Sequence, residues 1–179
     1  MIETVVESVR VSIVTQHRVV ILKEVHGERH LPIWIGAYEA EAIAMELQGV
    51  TATRPLPYDL MKSVITDMGG SIDRIVVSSL ADNVFYARIV IQQNGRAVEI
   101  DSRPSDAIAL AVRTRVPILV DDSVMEQAGV TLAEEGDDEE GTDASRAATT
   151  EPVDEERLSA FRDFINTLDL DDFGKKKGN

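Results

Sequence analysis

Glu39, Asp59 and Asp106 are three acids that fall near the starts of predicted helices, among positions that would otherwise face a core. Paired carboxylates roughly 4–8 Å apart can hold Mg²⁺ or Mn²⁺ and activate water for phosphodiester hydrolysis. Arg103 precedes Asp106 by three residues and is either its ion-pair partner or a cation that faces phosphate. A negative charge in a first helical turn also complements the helix N-terminus, so a structural role for Glu39 stays open. Joint chemistry requires the helix starts to meet, which the spacing does not show. His17, His26 and His30 lie in one hairpin region, where Glu24 and Glu28 complete an apparent metal cluster. Strand alternation places them instead at solvent-facing edges.

The elements that must position these groups are legible from periodicity. Val5, Val9, Val11 and Ile13, then RVVILKEV and LPIWI, read as three strands, and GAYEAEAIAMELQG reads as a helix that Gly49 stops. IDRIVVSSL, NVFYARIVIQ and RAVEI read as three more, the last after the hairpin signal Asn94-Gly95, before the helix RPSDAIALAVRTRV. Pro104 with Ser102 or Ser105 as cap starts that helix. One offset of 65 residues lays Glu41–Met45 on Asp106–Leu110 and also aligns two strand pairs, which points to an internal duplication. A further helix over about 58–68 separates the halves, and Pro117-Ile-Leu-Val adds a short strand. The expected class is α+β, with two β-β-β-α units around an aliphatic core.

Composition excludes much else. The 179 residues contain no Cys, so disulfides, thiolate metal sites and Cys nucleophiles are absent. No P-loop or dinucleotide glycine motif, GxSxG or HExxH occurs. The acidic opening MIETVVESVR and the lack of an apolar run of about 18–20 residues predict a soluble, cytoplasmic protein with no membrane span. Of the net charge of −14, residues 1–130 carry −5 and residues 131–179 carry −9. Residues 131–150 are acidic and poor in large apolar side chains, so they read as a disordered linker. In 151–179, Leu158, Phe161, Phe164, Ile165 and Leu168 predict an amphipathic helix over 153–169, followed by a basic tip. That helix packs on its own domain or a neighbouring subunit, or docks another protein.

LPIWIGAYEAEAIA, RPLPYDLM and SRPSDAIALAVRT, in this order and spacing, resemble the bifunctional nuclease (DNase-RNase) domain family over roughly residues 5–130. The stretch EERLSAFRDFINTLDLDDF is similar to the tail of actinobacterial members. The resemblance implies an α+β fold with internal duplication and cleavage of DNA, RNA or both. It maps Glu39, Arg54, Asp59, Leu60 and Arg103 to Asp106 onto family motif positions. At Pro57-Tyr58 this chain departs from the Thr-His that members often carry, and Tyr58 is a weak base near neutral pH.

The leading expectation is therefore a nuclease. Glu39, Asp59 and Asp106 would serve as catalytic residues and ligands of Mg or Mn, with Arg54 and Arg103 as phosphate clamps. Negative charge and few aromatics favour short or single-stranded substrates over long duplexes. The alternative is a non-catalytic binding or regulatory module that engages a protein through residues 153–169. Uncovered sheet edges suggest a homo-oligomer.

Overall fold

Short runs rich in Val and Ile, separated by turn residues, fold into one eight-stranded sheet among the described residues, 1–12 and 16–131 of the computed structural model. The strands are β1 (Ile2–Val11), β2 (Arg18–Glu24), β3 (Arg29–Ile35), β4 (Gly70–Ala81), β5 (Val84–Gln93), β6 (Arg96–Ser102), β7 (Ile118–Val120) and β8 (Val130–Thr131). The helices are α1 (Ala37–Leu47), α2 (Pro57–Asp67), α3 (Pro104–Thr114) and α4 (Asp122–Ala128). The expected α+β class is the observed one, and the order β-β-β-α occurs twice, with α2 between. The linker expected over 131–150 and the helix expected within 151–179 lie outside the described residues, except that Thr131 pairs with Arg29 in the sheet.

The strand order is β6-β5-β4-β7-β1-β2-β3-β8. Every adjacent pair is antiparallel except β4 with β7, which runs parallel. Short β7 thus joins two meanders, bonding β1 on one side and β4 on the other. Two tight turns set the register of the second meander. Asp82-Asn83 and Asn94-Gly95 all take positive φ, between 50° and 73°, the geometry that two-residue hairpins require.

One sheet face carries Val20, Leu22, Leu31, Ile33, Ile75, Val77, Ile89 and Ile91 into the main core. The helices supply Ile43 from α1 and Ala107 through Ala111 from α3 to the same cluster. α3 buries almost its whole length because it packs on the sheet and on both α1 and α2. Its small residues permit that close approach, while Ile108 and Leu110 fill the space between layers.

Two local expectations change. His17 and His26 are exposed, but His30 is buried, with Nε2 3.3 Å from Glu7 Oε1. The neighbouring strands β2 and β8 flank it, a long-range effect that alternation in sequence does not encode. Nor does a serine cap α3. Arg103 holds the cap position, Pro104 follows as the first helical residue, and the Ser102 hydroxyl donates to the Arg103 carbonyl.

Ile108→Ala should lower stability by about 2–5 kcal/mol, because the fully buried side chain leaves a cavity that the packed helix cannot close. A fall in the urea midpoint with an unchanged denaturant slope is the expected result.

Candidate active site

The first turns of three helices supply one polar network. β3 ends at Ile35, and Gly36 caps α1, placing Glu39 in its first turn. β6 runs into Arg103 and α3, whose third helical residue is Asp106. Pro57 opens α2 with its preset φ and puts Tyr58 at the second helical position. Arg103 Nε donates to Asp106 Oδ2 at 2.6 Å and Nη2 donates to Asp106 Oδ1 at 2.9 Å, a forked pair. Nη2 also donates to Glu39 Oε1 at 2.8 Å, across 64 residues of chain. The Tyr58 hydroxyl completes the set by donating to Asp106 Oδ1 at 2.9 Å.

Exposure separates the roles within this network. The Arg103 side chain is 66% exposed, whereas Glu39 is 14% and Asp106 25% exposed. The cation therefore faces solvent from a floor of sheltered carboxylates. Hydrogen bonds to Asp106 and Glu39 push the Arg103 pKa up, so the guanidinium is charged at any working pH. Burial, then the bond to Asp106, raises the Tyr58 pKa well above its usual value, and the phenol stays a donor. Gly36 makes room for Glu39, since a Cβ there would collide with Glu39 Oε2.

Asp59 belongs to a different cluster. Its Oδ1 accepts from Arg113 Nε at 3.0 Å, and its Oδ2 accepts from the Leu56 backbone N–H at 2.7 Å. The Arg113 side chain is only 4% exposed and also donates to the carbonyls of Ala109 and Ala42. Its guanidinium lies 5.3 Å from the Tyr58 ring centroid. Arg113 thus binds α1, α2 and α3 together beneath the solvent-facing network. Arg54 is exposed in the segment between α1 and α2, four residues before Tyr58.

Of the candidates in the sequence, Glu39, Asp106 and Arg103 meet, whereas a second arginine engages Asp59. Tyr58 and Arg113 are members that sequence spacing does not reveal. Tyr58 was visible only as a departure from a motif, and Arg113 has no local signal beyond its place on α3. Among the described residues, no three of His, Cys, Asp and Glu stand close enough to hold a metal by themselves.

Residues 20–133 match the sequence profile of the bifunctional nuclease domain, which spans more than half the chain and includes every residue of both clusters. The chain belongs to the bifunctional nuclease domain family. An uncharacterised protein of Mycobacterium tuberculosis strain ATCC 25618 / H37Rv is 38% identical over 171 residues, covering 96% of this chain and 97% of that one. This similarity fits an actinobacterial-type member of the family. Bifunctional nuclease 1 of Arabidopsis thaliana is 28% identical over 124 residues, 67% of this chain and 38% of that protein. Bifunctional nuclease of Oryza minuta is 24% identical over 121 residues, 66% of this chain and 37% of that one. The chain thus matches well under half the length of the plant bifunctional nucleases. Membership in this family suggests nuclease activity. No helix among the described residues is long and apolar enough to cross a membrane.

Removing Arg113 empties a buried site, takes a second donor from the helical carbonyls of Ala42 and Ala109, and releases Asp59. Arg113→Ala should cost about 2–4 kcal/mol in urea unfolding, with Asp59, already partly exposed, adding little of this.

Alkaline pH tests Tyr58. Its folded pKa exceeds the unfolded value near 10, so its contribution is complete below pH 10 and declines as the unfolded chain alone ionises. Wild-type stability should fall as pH rises above about 10, and Tyr58→Phe should show a shallower fall.

Proposed function

We propose that this domain hydrolyses phosphodiester bonds of short or single-stranded DNA and RNA at the Glu39–Tyr58–Arg103–Asp106 network. The observation that carries this reading is the Arg103 guanidinium, two-thirds exposed yet held by carboxylates from two separate helix starts. Exposed ion pairs contribute little stability, about 0–1 kcal/mol. The network ties helix starts together, and its cation is presented where a ligand can reach it. Arg103 Nη1 takes no part in the bonds to Glu39 and Asp106 and is the donor left for a phosphate oxygen.

In this proposal a phosphate engages Arg103 and weakens its hold on Glu39. Glu39 then takes a proton from water as the water oxygen bonds to phosphorus and the bond to the leaving oxygen breaks. The leaving oxygen takes its proton from solvent. Arg103 stabilises the charge that builds on the non-bridging oxygens, while Tyr58 and Arg103 hold Asp106 in one orientation. Arg54 provides a second cation for a neighbouring phosphate.

Metal assistance belongs to the same proposal in altered form. Mg²⁺ commonly binds through one or two carboxylates together with substrate phosphates, so Glu39 and Asp106 suit an ion that arrives with the nucleic acid. Asp59, committed to Arg113, would not join them. Bound there, Mg or Mn would polarise the phosphoryl group as a Lewis acid. A cytoplasmic setting and self-association are also part of the proposal and rest on the sequence alone.

Glu39→Gln and Asp106→Asn should each lower kcat on labelled single-stranded RNA and DNA by about 100-fold or more, with urea midpoints close to wild type. Chelation should suppress cleavage, and added Mg²⁺ or Mn²⁺ should restore it. Equal cleavage by both variants and wild type would place the chemistry elsewhere. A wild type that cleaves nothing under any metal would favour the binding or regulatory module.

A further inference from the structure

We propose that Tyr38 is a base-stacking residue that restricts this site to unpaired nucleic acid; the inference rests on the nuclease reading and deepens it. Tyr38 is 85% exposed, the most exposed large apolar side chain among the described residues. It is the second residue of α1, directly before Glu39. Consecutive Cα atoms lie about 3.8 Å apart, so Tyr38 leaves the backbone one residue before the carboxylate that holds Arg103.

The core gains nothing from this ring. Ala40, Ala42 and Ile43 are the buried residues of α1, and none of the described ring contacts involves Tyr38. The other exposed ring in this part of the chain, Trp34, alternates with core-facing Leu31 and Ile33, so it projects from the opposite sheet face, edge-on to His17. Tyr38 is thus the exposed ring that shares the first turn of α1 with Glu39, the carboxylate that accepts from Arg103.

An aromatic face next to a phosphate-binding cation is the pairing by which proteins hold single strands without regard to sequence. Every unpaired base offers a face for stacking. In a duplex those faces are already covered by neighbouring pairs, and stacking on Tyr38 would require a base to leave the helix. A domain with net charge −5 over residues 1–130 has little cationic surface with which to offset that cost on a long duplex.

The test uses full-length protein carrying Glu39→Gln, which blocks turnover, with and without Tyr38→Ala or Tyr38→Phe. Fluorescence anisotropy is read with a dye-labelled single-stranded oligonucleotide and with its blunt duplex. Tyr38→Ala should weaken single-strand binding by about tenfold, the size of one base–aromatic stack. Tyr38→Phe should stay within about twofold of its parent, because the ring face is retained, and weaker duplex binding should not change. In the active protein, Tyr38→Ala should raise KM for the single strand and spare kcat. If wild type cleaves single strands and Tyr38→Ala binds them equally well, the stacking role is refuted and the nuclease reading stands. An equal loss on duplex and single strand would also refute it. If single strands neither bind nor are cleaved, the nuclease reading itself fails.

Discussion

A guanidinium almost closed to water must find acceptors inside the protein, and the search by Arg113 for them organises three helices. Its donors reach the Ala42 carbonyl on α1, the Ala109 carbonyl on its own helix and the Asp59 carboxylate on α2. An unpaired buried charge is far more costly than a paired one, so these bonds act as constraints on where the helices lie. The Tyr58 ring lies near the same guanidinium, and its hydroxyl is then directed at Asp106. The outer network therefore inherits its geometry from an inner one.

The two clusters differ in kind although both pair arginine with carboxylate. Arg113 is buried with bonds in three directions, which restricts motion. Arg103 has a bidentate hold on Asp106 and a single bond to Glu39, and most of its side chain remains in water. Water screens that pair and leaves it open to competition from another anion. Rigid support beneath an exchangeable surface pair holds exposed groups in a fixed geometry without burying them. Asp59 and Asp106, equivalent as sequence candidates, are separated by the burial of the arginine each one pairs with.

Strands, helices and hairpins were readable because each is decided within a few residues. Asn94-Gly95 turns tightly because both residues tolerate positive φ. Pro57 and Pro104 each open a helix because φ is preset and the missing N–H costs nothing in a first turn. Three spaced motifs placed the chain in its family. The burial of His30 was hidden because its neighbours come from elsewhere in the chain, Glu7 on β1 and Val130 on β8, the latter a hundred residues further along.

Sequence alone determined the α+β class, the repeated order of elements and the identity of Glu39, Arg103 and Asp106 as candidates, since local spacing and motif carry that information. Tertiary structure decided which candidates meet. Glu39 reaches Arg103 across 64 residues, Tyr58 reaches Asp106 across 48, and Asp59 is drawn to Arg113 across 54. No local pattern encodes those separations, because helix starts converge only when the sheet and the buried guanidinium have fixed where each helix packs.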